Sequence, residues 1–220
     1  VDPTAVIFIG RLFNTGHVDL RRLVAIAGSE VKNPHYEEIL VGQSINPVIS
    51  GQYDETSDVR VIMGNPLTGR PMEQTADGGA IHHTRFLSAH TSEITIIPEG
   101  DKADEFAGWI MPRLNQFSVS RSYFSWLFGK KKAYRLDARI KGGERHMIMS
   151  GEYDKVLPMD IYAEYLIKAI ITGDIDKQEQ LGIYEVSPED FALAEFVDSS
   201  KLELQRIVRE GLDVLRKENE

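Results

Sequence analysis

Residues 147–159 carry the spacing of an iron–sulfur site without its ligands. Met147, Ser150, Tyr153 and Leu157 precede Pro158-Met159 at the intervals of C-x2-C-x2-C-x3-C-P, the run that holds a cluster through thiolates. The chain contains no cysteine. Thiolate catalysis, disulfides and cysteine-ligated zinc or iron–sulfur sites are therefore excluded. Two readings of the frame stay open: a helix–loop–helix that matches by coincidence, or the outline of a site given up. Met147 and Leu157 are apolar and suit the filling of such a space.

Other residue types that do chemistry are present but not arranged for it. His82, His83 and His90 with Asp77 suggest a metal site, yet their spacing fits no helical i, i+4 pair, so loop or surface roles are expected and no metal is assigned. "GNPLTG" and "DGGA" lack the G-x-G-x-x-G pattern and the Lys-Ser/Thr pair of phosphate loops and read as turns. No Ser-His-Asp set or carboxylate pair stands out, so catalysis within this segment is not expected.

A basic run follows an aromatic one. Lys130, Lys131, Lys132, Arg135, Arg139, Lys141 and Arg145 face only Asp137 and Glu144, in a chain of net charge −9. Directly upstream lie Tyr123, Phe124, Trp126 and Phe128. Tyr123, Trp126 and Leu127 share one face of an expected helix that Gly129 terminates. One reading is a core helix followed by a solvated hairpin. The other is docking to an anionic membrane or an acidic partner through Lys130, Lys131, Lys132 and Arg135, each basic residue contributing roughly 1 kcal/mol near such a surface.

The 220 residues are 42% hydrophobic and 27% charged, which is ordinary for a globular chain large enough for one domain or two smaller ones. No apolar run approaches the roughly 18 residues of a membrane span, and the acidic balance argues against nucleic acid as a main partner. The opening "VDPTAVIFIG" reads as a strand in progress, and the chain as a fragment of a longer protein.

Between about residues 20 and 98, "RRLVAIAG", "NPHYEEILVG", "VRVIMGNPLTG" and "SEITIIPEG" predict four strands of a compact mixed sheet, bounded by Gly and Pro turns. From Asp101 the pattern becomes helical, beginning with "ADEFAGWIMPRL". After Pro158 a helix is predicted to bury Ile161, Tyr162, Tyr165, Leu166, Ala169 and Ile170, ending at Gly173. "VSPEDF" supplies Ser187 as cap, Pro188 at the first helical position, Asp190 for a capping box, and Val186 with Phe191 for a staple. A last helix, from about Lys201, places Leu204, Ile207, Val208, Leu212 and Leu215 on one stripe.

In "LRRLVAIAGSEVKNPHYEEILVGQSI", Ala27-Gly28, Val31, Pro34, Tyr36, Gly42 and Ile45 resemble the pattern of soluble-ligand-binding β-grasp (SLBB) domains, with His35 where Gly is usual. Over the whole chain, "AVIFIGRLFNTG", "VAIAGSEVKNP", "RVIMGNPLTG", "EFAGWIMP", "KGGERHMIMSGEYDKVLPMDI" and "GDIDKQEQLGIYEVSPEDFALAEFV" resemble, in order, the NqrA family of Na+-translocating NADH:quinone reductases. The resemblance implies an α+β architecture. Residues 1–19 would end a Rossmann-like domain, 20–98 form the SLBB domain, 99–146 connect, and 147–220 form a helical, ferredoxin-like domain without cysteines. Similarity to the RnfC-type component of Rnf complexes implies a second cluster frame at Ser187, Asp190, Leu193 and Val197, with Leu193 and Val197 as apolar filling. The NqrA resemblance implies a peripheral subunit on the cytoplasmic face of the bacterial inner membrane, bound to the other, partly membrane-embedded subunits. NADH oxidation, flavins and the iron–sulfur cluster would belong to those subunits, and this segment would bind no cofactor. Ubiquinone is an expected substrate of the complex, and Tyr123, Phe124 and Trp126 are the candidates for contacting it. The alternative is a stand-alone SLBB ligand-binding or envelope-assembly module.

Overall fold

The computed structural model describes residues 1–72, 86–100, 114–119, 121, 123–128 and 132–220. It is α+β and divides into two compact units, Val1–Arg139 and Ile140–Glu220.

The first unit opens with a helix, α1 (Pro3–Thr15), where the sequence pattern predicts a strand. The correction has a local cause. Asp2 accepts a hydrogen bond from the Ala5 amide at 2.7 Å, Pro3 occupies the first turn, and Gly16 closes the end in the left-handed region at φ 72°. Those caps fix a helix that the run of β-branched residues alone does not. No residue of α1 is buried.

A five-stranded sheet follows: β1 (Arg21–Ala27), β2 (His35–Leu40), β3 (Val59–Met63), β4 (Arg70–Pro71) and β5 (Glu93–Pro98). The order is β2-β1-β5-β3-β4. β1 and β5 run parallel at the centre, with Ala25, Ile26 and Ala27 opposite Glu93, Ile94 and Thr95. The remaining pairings are antiparallel. This is the arrangement of a β-grasp sheet, and four of its strands fall on the four predicted segments. β1 alternates, burying Arg22, Val24 and Ile26 on one face. β5, flanked on both sides, buries Ile94, Thr95 and Ile96 in succession. The short helix α2 (Asn46–Ile49) lays Val48 and Ile49 into the same core, which also contains Val31, Ile39, Ile45, Val59, Val61 and Leu87.

The second unit is helical: α3 (Ala163–Thr172), α4 (Ile175–Gln180), α5 (Ala192–Val197) and α6 (Leu204–Asn219), with 3-10 turns at Tyr153–Lys155, Ile183–Glu185 and Pro188–Phe191. α6 follows the predicted stripe, with Leu204, Val208 and Leu215 buried and Ile207 and Leu212 packed at its edges. α3 ends at Gly173 as predicted, and Ile161, Leu166, Ala169 and Ile170 face the core as expected, but the two tyrosines do not. Ala163, Leu166, Ile167 and Ala169 go inward, while Tyr162 and Tyr165 stand in solvent edge to face with each other. A phenol hydroxyl needs a polar partner, so these two rings stay at the surface and the aliphatic side chains, with Glu164, take the inner face.

Gly28 fixes how closely β1 approaches β5. Its φ is 123°, and a Cβ there would lie 2.0 Å from the Ile96 carbonyl oxygen and 2.5 Å from the Ile96 nitrogen. Gly28→Ala is expected to cost about 3 kcal/mol or more through strain and overlap together. Urea unfolding of the sheet, followed by circular dichroism, checks this; a loss under about 1 kcal/mol would contradict the close approach.

Candidate functional site

Three places in the fold gather the residues that the sequence singles out. The first is the aromatic segment. Phe124–Phe128 is a five-residue 3-10 turn, not the longer helix expected from the spacing. Ser125 is its one buried side chain, at 1% exposure, whereas Phe124, Trp126, Leu127 and Phe128 keep 58, 47, 62 and 56% of their surface open. Tyr123 is half-buried. The turn is pinned from behind. The Tyr134 hydroxyl donates to the Ser125 carbonyl at 3.4 Å, and Phe117 meets Tyr134 edge to face at 5.6 Å. The Arg121 guanidinium lies 5.7 Å from the Trp126 ring centre, and Lys132 Nζ lies 4.6 Å from that of Phe128. The expected core helix is thus replaced by a short turn that presents its large side chains outward.

The second is an open cleft of about 400 Å³ in the first unit, lined by Glu30, Thr56, Ser57, Asp58, Gly100, Arg135 and others. Arg135, a docking candidate in the sequence, is instead engaged here. Its Nε and terminal nitrogen donate to both oxygens of Glu30 at 2.7 and 2.6 Å. This fork holds the Glu30 carboxyl below its ordinary value of 4.5, the Arg135 hydrogen bond being the largest cause. Lys132 is also partly committed, donating to Asn115 Oδ1 at 3.0 Å and to the Leu114 carbonyl. Lys130 and Lys131 lie outside the described residues.

The third is the cluster frame in the second unit. Tyr153 is fully buried, Leu157 is 7% exposed, and Met147 packs at the edge of the same hydrophobic core. Ser150 is occupied by polar contacts: its amide and its hydroxyl, with the Gly151 amide, donate to one oxygen of Glu164 at 3.0, 3.1 and 2.6 Å. The second frame does not converge on an interior. Ser187 and Asp190 are exposed, and the Asp190 carboxylate accepts from the Ser187 amide and hydroxyl at 2.8 and 2.9 Å, as a capping residue does. Val186 and Phe191, the predicted staple, are both buried in the core. Val197 is half-buried. Leu193, expected to fill cluster space, is 46% exposed. The inner face of α5 is taken by Ala192 and Ala194 beside Phe191, which turns position 193 outward.

Sequence reasoning missed the two carboxylates that organise this unit. Glu164 is 6% exposed and Asp198 1%. Asp198 accepts from the Ser200 and Leu202 amides at 3.1 and 2.8 Å. A signal for Glu164 is present: an acidic residue in the first turn of a mostly apolar helix, following a Ser-Gly loop whose amides need an acceptor. The Tyr153 hydroxyl is buried without a hydrogen bond of normal length. Burial first, then the charge and hydrogen-bonding contact of Asp198, then the Glu164 charge, push its ionisation far above the ordinary phenol range.

Of the metal candidates, His82, His83 and Asp77 lie outside the described residues. His90 is largely exposed and sits 3.6 Å from Asp2. Among the described residues no group of three metal-ligating side chains occurs, and no helix is long and apolar enough to cross a membrane. "GNPLTG" is a turn: Asn65 Oδ1 accepts from the Leu67 and Thr68 amides, both at 2.9 Å.

A family model described as the NQRA C-terminal domain, of SLBB type, matches residues 23–74, which run from within β1 past β4. The sheet and this match identify an SLBB-type domain of β-grasp topology within the first unit. Similarity extends well beyond that segment. The NqrA component of the Na(+)-translocating NADH-quinone reductase of Rhodopirellula baltica is 37% identical over 97% of this chain and 44% of its own length. Those of Pasteurella multocida and Neisseria meningitidis are each 33% identical over 97% of this chain and 45% of theirs. The chain is similar to these NqrA components along nearly its whole length, and spans less than half the length of the curated relatives it matches.

Glu164→Ala removes the acceptor of three donors and is expected to destabilise the second unit by about 2–4 kcal/mol, whereas Tyr153→Phe removes a hydroxyl that lies beside Asp198 without a hydrogen bond of normal length and is expected to cost less than about 1 kcal/mol. Paired urea titrations check both, and a loss above about 1 kcal/mol for Tyr153→Phe would mean that the hydroxyl is bonded. In the first unit, the lowered Glu30 pKa contributes stability that is present above 4.5 and lost as pH falls through the folded value. Arg135→Met should flatten that acid limb of the melting-temperature profile.

Proposed function

We propose that the chain is part of a peripheral subunit of a Na+-translocating NADH:ubiquinone oxidoreductase, at the cytoplasmic face of the bacterial inner membrane. It acts there as a scaffold on the quinone-reducing side. The observation that carries this reading is the similarity to NqrA relatives over 97% of the chain, running through both units.

The part assigned to this chain is structural. Residues that resemble a ferredoxin frame hold side chains and a carboxylate in place of thiolates, so electrons would pass through flavins and an iron–sulfur cluster in other subunits. The first cluster frame, at Met147, Ser150, Tyr153 and Leu157, reads as a scaffold retained after its ligands were lost. The second, at Ser187, Asp190, Leu193 and Val197, contributes a helix cap and α5. Tyr123, Phe124 and Trp126 are the candidates for quinone contact. A quinone ring calls for an enclosed apolar slot with a few polar groups, and two of these three residues keep about half their surface in solvent. The turn by itself is therefore assigned to docking. Residues 1–19 would belong with the Rossmann-like part of a longer subunit.

The test is purification of the tagged full-length gene product from native membranes in mild detergent, with NADH:quinone reductase activity assayed with and without Na+. A flavin-containing complex stimulated by Na+ is expected. A colourless protein that elutes alone and inactive would overturn the proposal and favour a stand-alone SLBB module.

A further inference from the structure

We propose that the turn Phe124–Phe128 is an interfacial wedge that seats this protein directly on an anionic phospholipid surface. This goes beyond the reading above, in which the protein reaches a membrane through its partners; here the chain itself touches lipid.

The turn has the composition and the exposure that an interface selects. Four of its five side chains are large and apolar, and each exposes between 47 and 62% of its surface. A core element would turn such residues inward, but here only Ser125 does so. Tyr134, itself packed edge to face on Phe117, backs the turn through a long contact of its hydroxyl to the Ser125 carbonyl, which lowers the ordering cost at docking. Tryptophan and phenylalanine, with basic side chains reaching toward the headgroups, form the usual composition of a membrane–water boundary.

Charge selects lipid of one sign. Arg121 stands over Trp126 and Lys132, which also donates to Asn115, over Phe128, so two cations accompany the apolar turn. The sequence adds Lys130 and Lys131 directly after the turn, in a chain whose net charge is −9. An anionic surface would attract this segment while repelling the rest of the chain, which orients the protein as well as holding it. Arg135 and Arg139 add little to that attraction, since each is paired with a carboxylate. α1 differs on this point. That helix also exposes large apolar residues, but its one basic side chain, Arg11, lies beside Asp19 and Glu38. It therefore lacks the charge that would choose an anionic surface.

The test uses the chain with Trp109→Phe, which leaves Trp126 as the only tryptophan. Vesicles of phosphatidylcholine with about one-third phosphatidylglycerol are expected to shift Trp126 emission to the blue. Pure phosphatidylcholine vesicles should not, and about 0.5 M salt should reverse the shift by screening. Leu127→Asp, at an exposed position, is expected to weaken partitioning about tenfold or more while leaving the thermal midpoint unchanged. Phe13→Asp in α1 should leave the Trp126 shift intact. Should Trp109→Phe fail to fold, co-sedimentation of the unaltered chain against Leu127→Asp reads the same quantity. Absence of a shift on anionic vesicles, an equal shift on neutral ones, or photo-crosslinking from position 127 to a protein in native membranes would each overturn the wedge. If that happened while Na+-stimulated reductase activity still co-purified, the reading as part of the reductase would stand and the turn would be a protein contact.

Discussion

The parallel pairing of β1 with β5 is the contact on which the first unit depends. It joins residues 25–27 to 93–95, segments far apart in the chain, and every other strand adds to it by an antiparallel edge. Such a pair gains its hydrogen bonds only after a long loop has been closed, so its interior must repay that entropy. It does so with strands buried at the centre of the sheet: Val24 and Ile26 on one, Ile94 and Ile96 on the other, all fully buried. Gly28 lets the chain leave β1 against the backbone of Ile96, and Glu30, two residues on, then meets Arg135. The geometry of the cleft is thus set by the centre of the sheet.

The second unit solves a different problem. A loop of small and polar residues around Ser150 and Gly151 leaves amides pointing inward, and buried amides need acceptors. In a chain without cysteine, a carboxylate can accept several amides at once, and Glu164 does so. Asp198 repeats the device for the loop at Ser200 and Leu202. Around these two anions the aliphatic core closes, with Gly211 bringing α6 within close contact of Ile170 and Ile183. Polar satisfaction, more than helix propensity, accounts for the path of these short segments.

Much of this is legible in the residues themselves. Strands β1, β2, β3 and β5, the stripe of α6, the Gly173 stop, and the Ser187–Asp190 pair all rest on local rules of alternation, periodicity and capping. The misses share a cause, which is that a pattern of apolar residues does not say what surrounds it. The apolar run of α1 suggests a strand, although Asp2-Pro3 and Gly16 fix a helix. In α3, counting tyrosines with the aliphatic residues adds two side chains that stay in solvent. Glu164 and Asp198 escape notice because a single sequence scatters carboxylates without showing which ones meet buried amides. The outward turn at Phe124–Phe128 is hidden for a similar reason: i, i+3, i+4 spacing describes a helix face equally well when the element is too short to bury it.

α1 has a thermodynamic consequence of its own. An isolated helix of 13 residues is close to the length at which helix and coil balance in water. With none of its residues buried, and with Phe13 83% and Val6 59% exposed, tertiary packing adds little to its caps and the Arg11 contacts. Its helicity is therefore conditional: whatever surface covers it must also supply the free energy of ordering. Association there would carry the heat-capacity signature of folding coupled to binding, larger than the contact area alone would give.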